Sequence, residues 1–113
     1  MESVFRKNVY QILRKVPSGK VVTYGQLAEL AGNSGAARAV GMCMRTNPDA
    51  PQTPCHRVVS STGELTGYSA QGGIQRKKDM LQEEGVYFIG DRVDLSRSQW
   101  QPDLSEDLTR VYG

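Results

Sequence analysis

Phe5, Val9, Ile12, Leu13 and Val16 recur at helical spacing, and Arg6, Lys7, Arg14 and Lys15 fall off that stripe. The pattern predicts an amphipathic helix over 3–16. Pro17-Ser18-Gly19 stops it, and Lys20-Val21-Val22 reads as a short extended piece. Thr23, with Gln26 three residues on, forms a capping box that opens a second helix. Leu27, Leu30 and Ala31 face inward on it, and Gly32 suits its C′ position. Asn33-Ser34 makes the turn, with Ser34 as the cap of a third helix over 35–45. Helix, short glycine-bearing turn and helix make a helix-turn-helix pattern, a spacing that a plain helical hairpin shares.

Beyond a proline-rich loop from Thr46 to Pro51, the period changes. Arg57-Val58-Val59-Ser60 and Glu64-Leu65-Thr66 read as two short strands joined through Thr62-Gly63. Residues 67–73 form a flexible loop, and a fourth helix follows over 74–84, with Ile74, Met80 and Leu81 inward and Gly85 as its stop. Val86 to Ile89 and Arg92 to Leu95 form a second hairpin about Gly90-Asp91. The fold class is mainly α with short β hairpins. Residues 1–113 make one domain, with 96–113 a less ordered, acidic tail.

Composition narrows the function classes. No stretch approaches the roughly 20 apolar residues of a membrane span, and the N-terminus has no apolar signal region. Two cysteines twelve residues apart and a single histidine make neither a disulfide framework nor a convincing zinc site. A reduced, cytoplasmic setting, a monomer, no metal and no cofactor are the expectations. Net charge is +2, divided as +5 over residues 1–60 and −3 over 61–113. The basic first half permits a polyanion partner without requiring one.

Candidate chemistry centres on Pro54-Cys55-His56-Arg57-Val58, which holds the only histidine beside one of the two cysteines. A thiolate is a nucleophile, and positive charge or a neighbouring base promotes its formation. A buried structural cysteine beside a surface His-Arg pair fits the pentapeptide equally well. The third helix is the other unusual stretch. Gly35-Ala36-Ala37-Arg38-Ala39-Val40-Gly41 carries almost no bulk and one charge. Small residues allow close approach to a protein core or to a nucleic-acid groove. In a groove, Arg38 is a probe reaching between base pairs while the alanines lie on the wall.

Taken in order, Val22-Thr23-Tyr24-Gly25-Gln26-Leu27-Ala28, Ala36-Ala37-Arg38-Ala39-Val40-Gly41, Asn47-Pro48, Pro54-Cys55-His56-Arg57-Val58-Val59, Gly67-Tyr68-Ser69 and Glu84-Gly85 resemble the O6-alkylguanine-DNA alkyltransferase family. The resemblance runs from about residue 4 to 88. It implies a winged-helix-like helix-turn-helix domain of the alkyltransferase C-terminal type. It implies DNA repair, with duplex DNA containing O6-alkylguanine as the partner and Cys55 as alkyl acceptor. His56, through a water, and Glu84 would deprotonate Cys55, and Asn47 would brace the helix-turn-helix against the active-site loop. Ala36, Ala37, Arg38 and Gly41 would contact the minor groove, with Arg38 filling the stack after the base is flipped out. Tyr24 would lie near the rotated phosphate and the guanine edge. Tyr68 and Ser69 would line the pocket with Val58, and the carbonyls of Cys55 and Val58 would receive the exocyclic amine. The resulting thioether is stable, so the implied methyltransferase acts once per molecule.

Three features depart from the family pattern. Many family repair proteins carry a further N-terminal domain, with no counterpart in these 113 residues. The loop Tyr68-Ser69-Ala70-Gln71-Gly72-Gly73 is two residues longer than the usual Tyr-Ser-Gly-Gly, which bears on pocket shape. The end, from Gly90 to Trp100, looks more like the alkyltransferase-like proteins, which bind the same lesions without repairing them and pass them to nucleotide excision repair. Those usually hold tryptophan or alanine where this chain has Cys55. The alternative reading is therefore a lesion sensor with nucleotide excision repair proteins as partners. A transcription-factor-like module would need major-groove contacts that Ala36, Ala37 and Ala39 do not make. A cysteine hydrolase usually draws its cysteine and histidine from separate segments.

Overall fold

A computed structural model describes residues 4–47, 52–66 and 72–102. Helix α1 (Val4–Leu13) buries Val9, Tyr10, Ile12 and Leu13. It is shorter than its apolar stripe. Pro17 disfavours helical geometry at Val16, so the last turn tightens, with Lys15 N–H bonded to the Ile12 carbonyl and Val16 N–H to that of Leu13. Val16 stays buried all the same.

Strand β1 (Val22–Thr23) leads straight into α2 (Tyr24–Leu30), and the capping box is formed. Gln26 N–H donates to Thr23 Oγ1 at 3.0 Å, and Thr23 N–H reaches Gln26 Oε1 at 3.4 Å. Gly32, with φ +100°, ends the helix as expected: its N–H meets the Glu29 carbonyl, and Asn33 N–H meets that of Ala28. The turn into α3 (Ala37–Arg45) differs from expectation. Ala36 is the N-cap residue and carries no side-chain cap, so Ser34 does not serve. Asn33 organises this turn instead, its Oδ1 accepting from Gly35 N–H and its carbonyl from Ala36 N–H. Val40, Cys43 and Met44 of α3 close the first core cluster against α1 and α2.

The expected hairpin after the cysteine is not a ladder. Strand β2 (Val58–Val59) pairs parallel with β1, Val22 opposite Val58 and Thr23 opposite Val59. Both residues of β2 are buried, and an apolar strand covered on both faces is satisfied by a buried parallel partner. Beyond it the chain closes into a tight loop in which Ser60 Oγ accepts from Thr62 N–H and Glu64 N–H. Glu64 then bridges antiparallel to Arg92.

Helix α4 (Gly73–Glu83) follows, then the hairpin of β3 (Phe88–Ile89) and β4 (Arg92–Val93), which turns at Gly90-Asp91 as the sequence suggests. Leu81 joins Val21, Val59, Val86 and Val93 in a second core cluster. Ile74, expected inside, is half exposed, and Lys77 takes the inward position. Residues 96–102, expected as part of a loose tail, are built into the fold. Helix α5 (Leu95–Ser98) is capped by Asp94, Ser98 is fully buried, and Trp100 packs on the first cluster. Trp100 N–H donates to the Val21 carbonyl, and Gln26 Nε2 donates to the Trp100 carbonyl. Residues 103–113 lie outside the described residues.

Candidate active site and nucleic-acid interface

Cys55 opens a single 3₁₀ turn (Cys55–Arg57) that runs directly into β2. Pro54 precedes it, Arg57 N–H closes onto the Pro54 carbonyl, and Val58 N–H onto that of Cys55. The turn is fastened from two sides through the buried Thr53. Arg14 Nε, just past the end of α1, donates to Thr53 Oγ1 at 2.9 Å, and Asn47 Nδ2 donates to the Thr53 carbonyl at 2.8 Å. Asn47 follows α3 by two residues, and its amide ties the end of that helix to the cysteine turn. Cys55 sits at the rim of the first core cluster, 8% exposed.

His56 is buried, and its Nε2 lies 2.9 Å from Glu84 Oε2. Glu84 caps the C-terminus of α4, where Gly85 (φ +89°) turns the chain away. Arg57 grips the same carboxylate twice, Nε to Oε1 at 2.9 Å and Nη2 to Oε2 at 2.7 Å, and its Nη1 bonds the Val16 carbonyl. Burial pushes the Glu84 carboxyl up, but the hydrogen bonds from Arg57 and His56, together with their charges, outweigh it and hold Glu84 below the usual range. Burial lowers His56 below 6.5 despite the Glu84 contact, so its imidazole is neutral at pH 7. An ionised Glu84 accepts only, so Nε2 carries the imidazole proton and Nδ1 holds the free lone pair. Nδ1 is buried and has no hydrogen-bond partner among the described residues.

Tyr24, half-buried at the start of α2, exchanges contacts with Thr66: its hydroxyl accepts from Thr66 Oγ1 at 3.2 Å and approaches the Thr66 carbonyl at 3.5 Å. The two carbonyls expected at the guanine edge each carry one bond already. Cys55 O receives Val58 N–H, and Val58 O receives Lys77 Nζ at 2.7 Å. A carbonyl oxygen has a second lone pair, so both remain able to accept. On α3, Arg38 and Ala39 are exposed, and Ala36, Ala37 and Gly41 are half-buried, a low surface with one long cation. Tyr68 and Ser69 lie outside the described residues.

Two residues carry no assigned role in the sequence reading. Arg57 is the cation that holds Glu84 ionised, and its adjacency to His56 was the available signal. Lys77 is hidden in the sequence because apolar residues alone mark the inner face of a helix. Positions 77, 81 and 84 follow the i, i+4, i+7 spacing of one face, and only Leu81 among them is apolar.

Residues 4–86 match the family described as 6-O-methylguanine DNA methyltransferase, DNA binding domain. The chain belongs to that family. Methylated-DNA–protein-cysteine methyltransferases from Shigella flexneri and Salmonella typhimurium are 49% and 51% identical to it over 85 residues. Those matches cover 75% of this chain and 48% of each relative, so the chain spans about half the length of the curated relatives it matches. Among solved structures, S. pombe Atl1 in complex with damaged DNA containing O6-carboxymethylguanine superposes with a TM-score of 0.75 at 35% identity, over 90% of this chain and all of that one. Mycobacterium tuberculosis OGT in complex with DNA superposes at 0.69 with 43% identity, over 74% of this chain and 50% of that one. The mainly helical fold with short strands is thus that of the methyltransferase-family DNA-binding domain. Among the described residues no helix is long and apolar enough to cross a membrane.

Proposed function

We propose that this domain repairs DNA by binding the duplex through α3 in the minor groove, extruding O6-alkylguanine and moving the alkyl group irreversibly to Cys55. The observation that carries the reading is the line of groups behind the thiol: a neutral, buried His56 whose Nε2 is held by Glu84, itself fixed by Arg57. With Nε2–H committed to Glu84, Nδ1 is the base. A water bridging Sγ and Nδ1 passes the thiol proton to the imidazole. The thiolate attacks the alkyl carbon, the S–C bond forms as the C–O6 bond breaks, and guanine leaves with the electron pair and takes up a proton. Tyr24 stands at the guanine edge, and the carbonyls of Cys55 and Val58 receive the exocyclic amine. Tyr68 and Ser69 line the pocket in this reading, and Asn47 keeps the thiol in register with the groove-binding helix.

Reaching an atom inside the duplex requires extrusion of the base, at a cost of a few kcal/mol. Arg38 fills the gap, and Ala36, Ala37 and Gly41 let α3 lie close to the groove. The protein works as a monomer, in the cytoplasm and on the nucleoid when DNA-bound. A second reading draws on the full-length superposition with Atl1. In it the domain senses the lesion, leaves it unrepaired and hands it to nucleotide excision repair. Intact-mass measurement after mixing with an O6-methylguanine duplex separates the two. The repair reading expects one methyl per chain, mapped to Cys55 and not Cys43. Unchanged mass with tight lesion binding overturns it in favour of the sensor.

A further inference from the structure

Lys77 is the largest fully buried side chain among the described residues, 1% exposed in the middle of α4. Its Nζ donates to two neutral acceptors, the Val58 carbonyl at 2.7 Å and the Thr66 carbonyl at 2.9 Å. No carboxylate pairs with it among the described residues. One of its three N–H groups remains uncommitted there.

The charge balance around Cys55 makes this lysine informative. Arg57 is neutralised by its twofold grip on Glu84, and His56 is uncharged at pH 7. Lys77 is, among the described residues, a cation beside the Cys55 turn with no carboxylate partner. Its placement is also specific: it bonds the carbonyl of Val58, the residue whose N–H closes the Cys55 turn. Its second bond reaches Thr66, which contacts Tyr24.

We propose that Lys77 is a positioning residue for Cys55, its buried ammonium supplying positive charge against which the thiolate forms and its carbonyl bonds fixing the strand that leaves the cysteine turn. The electrostatics agree from the other side. Burial presses the Lys77 amine down to about 8, and the charge of Cys55 pushes it back up. The proton released by Sγ goes to the imidazole, and Lys77 keeps its own.

The inference rests on Cys55 being a nucleophilic thiol, and its test uses no alkylated DNA, so it fails or stands separately from alkyl transfer. In the free protein, iodoacetamide labelling of Cys55 at pH 7, followed by peptide mapping, should be about tenfold slower in Lys77→Met than in wild type, because the thiolate is the reacting form. Equal rates overturn the proposal. A second measurement does not depend on the folding of that variant. The Lys77 amine is titrated by ¹⁵N NMR in wild type and in Cys55→Ser. It should titrate lower in Cys55→Ser, by about half a unit or more, because the partner charge is gone. Identical titrations overturn the proposal, since a lysine that merely held two carbonyls would not register the thiol.

Discussion

Burying Lys77 has a consequence for stability that can be worked through. In the unfolded chain its amine titrates near 10.5, and in the folded protein at about 8. That drop, at about 1.4 kcal/mol per unit, amounts to roughly 3 kcal/mol. Below about 8 both states hold the proton, and the folded state bears the whole cost of a buried charge. From about 8 to 10.5 the unfolded chain binds more protons than the folded one, so stability rises with pH, and above 10.5 the gain is complete. Lys77→Met keeps the stem and removes both charge and donors. It leaves the Val58 and Thr66 carbonyls without their lysine bonds, at about 1–3 kcal/mol each. Near pH 7 the removed charge offsets much of that loss, so the variant differs modestly from wild type. Raising the pH to 10.5 should open a gap of up to about 3 kcal/mol in favour of wild type. With a urea slope of about 1.5 kcal/mol per molar, the midpoints move apart by about 2 M. Urea denaturation of both proteins at pH 7, 9 and 10.5 measures this, and tyrosine ionisation, common to both, cancels in the difference. Parallel stability curves would refute the reasoning.

Glu84→Gln keeps an acceptor for His56 but releases the charge that Arg57 grips; single-turnover transfer should slow at least about tenfold while duplex affinity stays within about threefold. Equal losses in both would reduce Glu84 to a structural role. Arg38→Ala should slow transfer from saturating duplex substantially and leave transfer from free O6-alkylguanine base unchanged, since the free base needs no extrusion. Normal transfer at saturation would sink the assignment of Arg38 to the vacated stack. Thr23→Ala removes half of the capping box and should cost about 1 kcal/mol, lowering Tm by roughly 4 °C; an unchanged Tm would show that the cap contributes nothing.

The elements that were legible in the sequence are those fixed by contacts a few residues apart. The α1 stripe, the Thr23–Gln26 box, the Gly32 stop and the Gly90-Asp91 hairpin each need only a turn or two of chain. The pairing of Val58–Val59 with Val22–Thr23 joins segments across the whole helix-turn-helix. Two-residue strands carry too little alternation to announce a partner, so Ser60 to Glu64 looked like the centre of a hairpin. Ser34 lost the cap because Asn33, one residue earlier, satisfies the same turn. The stitch from Trp100 to Val21 and Gln26 had no local signal, and an acidic tail beyond it hid its order. At the candidate site, Cys55, His56, Arg57 and Asn47 stand in quoted motifs, whereas the grip of Arg57 on Glu84 and the inward turn of Lys77 depend on contacts between distant segments.

The charge balance there bears on which of the two functions the chain performs. An ammonium held in the core with carbonyls as its only partners among the described residues is costly, at roughly 3 kcal/mol near neutral pH by the shift of its amine. An apolar side chain of similar size would fill the space at less expense, provided the two carbonyls found other donors. A protein that only gripped an extruded base would gain little from such a charge, since the pocket groups it needs are hydrogen-bond donors and acceptors. A protein that must form a thiolate gains directly, because His56 is neutral and Arg57 is already committed to Glu84. The places where a chain gives up stability against local rules are where function is expected. Lys77 is such a place, and it lies one residue contact from the Cys55 turn. The buried cation therefore weighs towards the transferase reading of Cys55, independently of the superpositions.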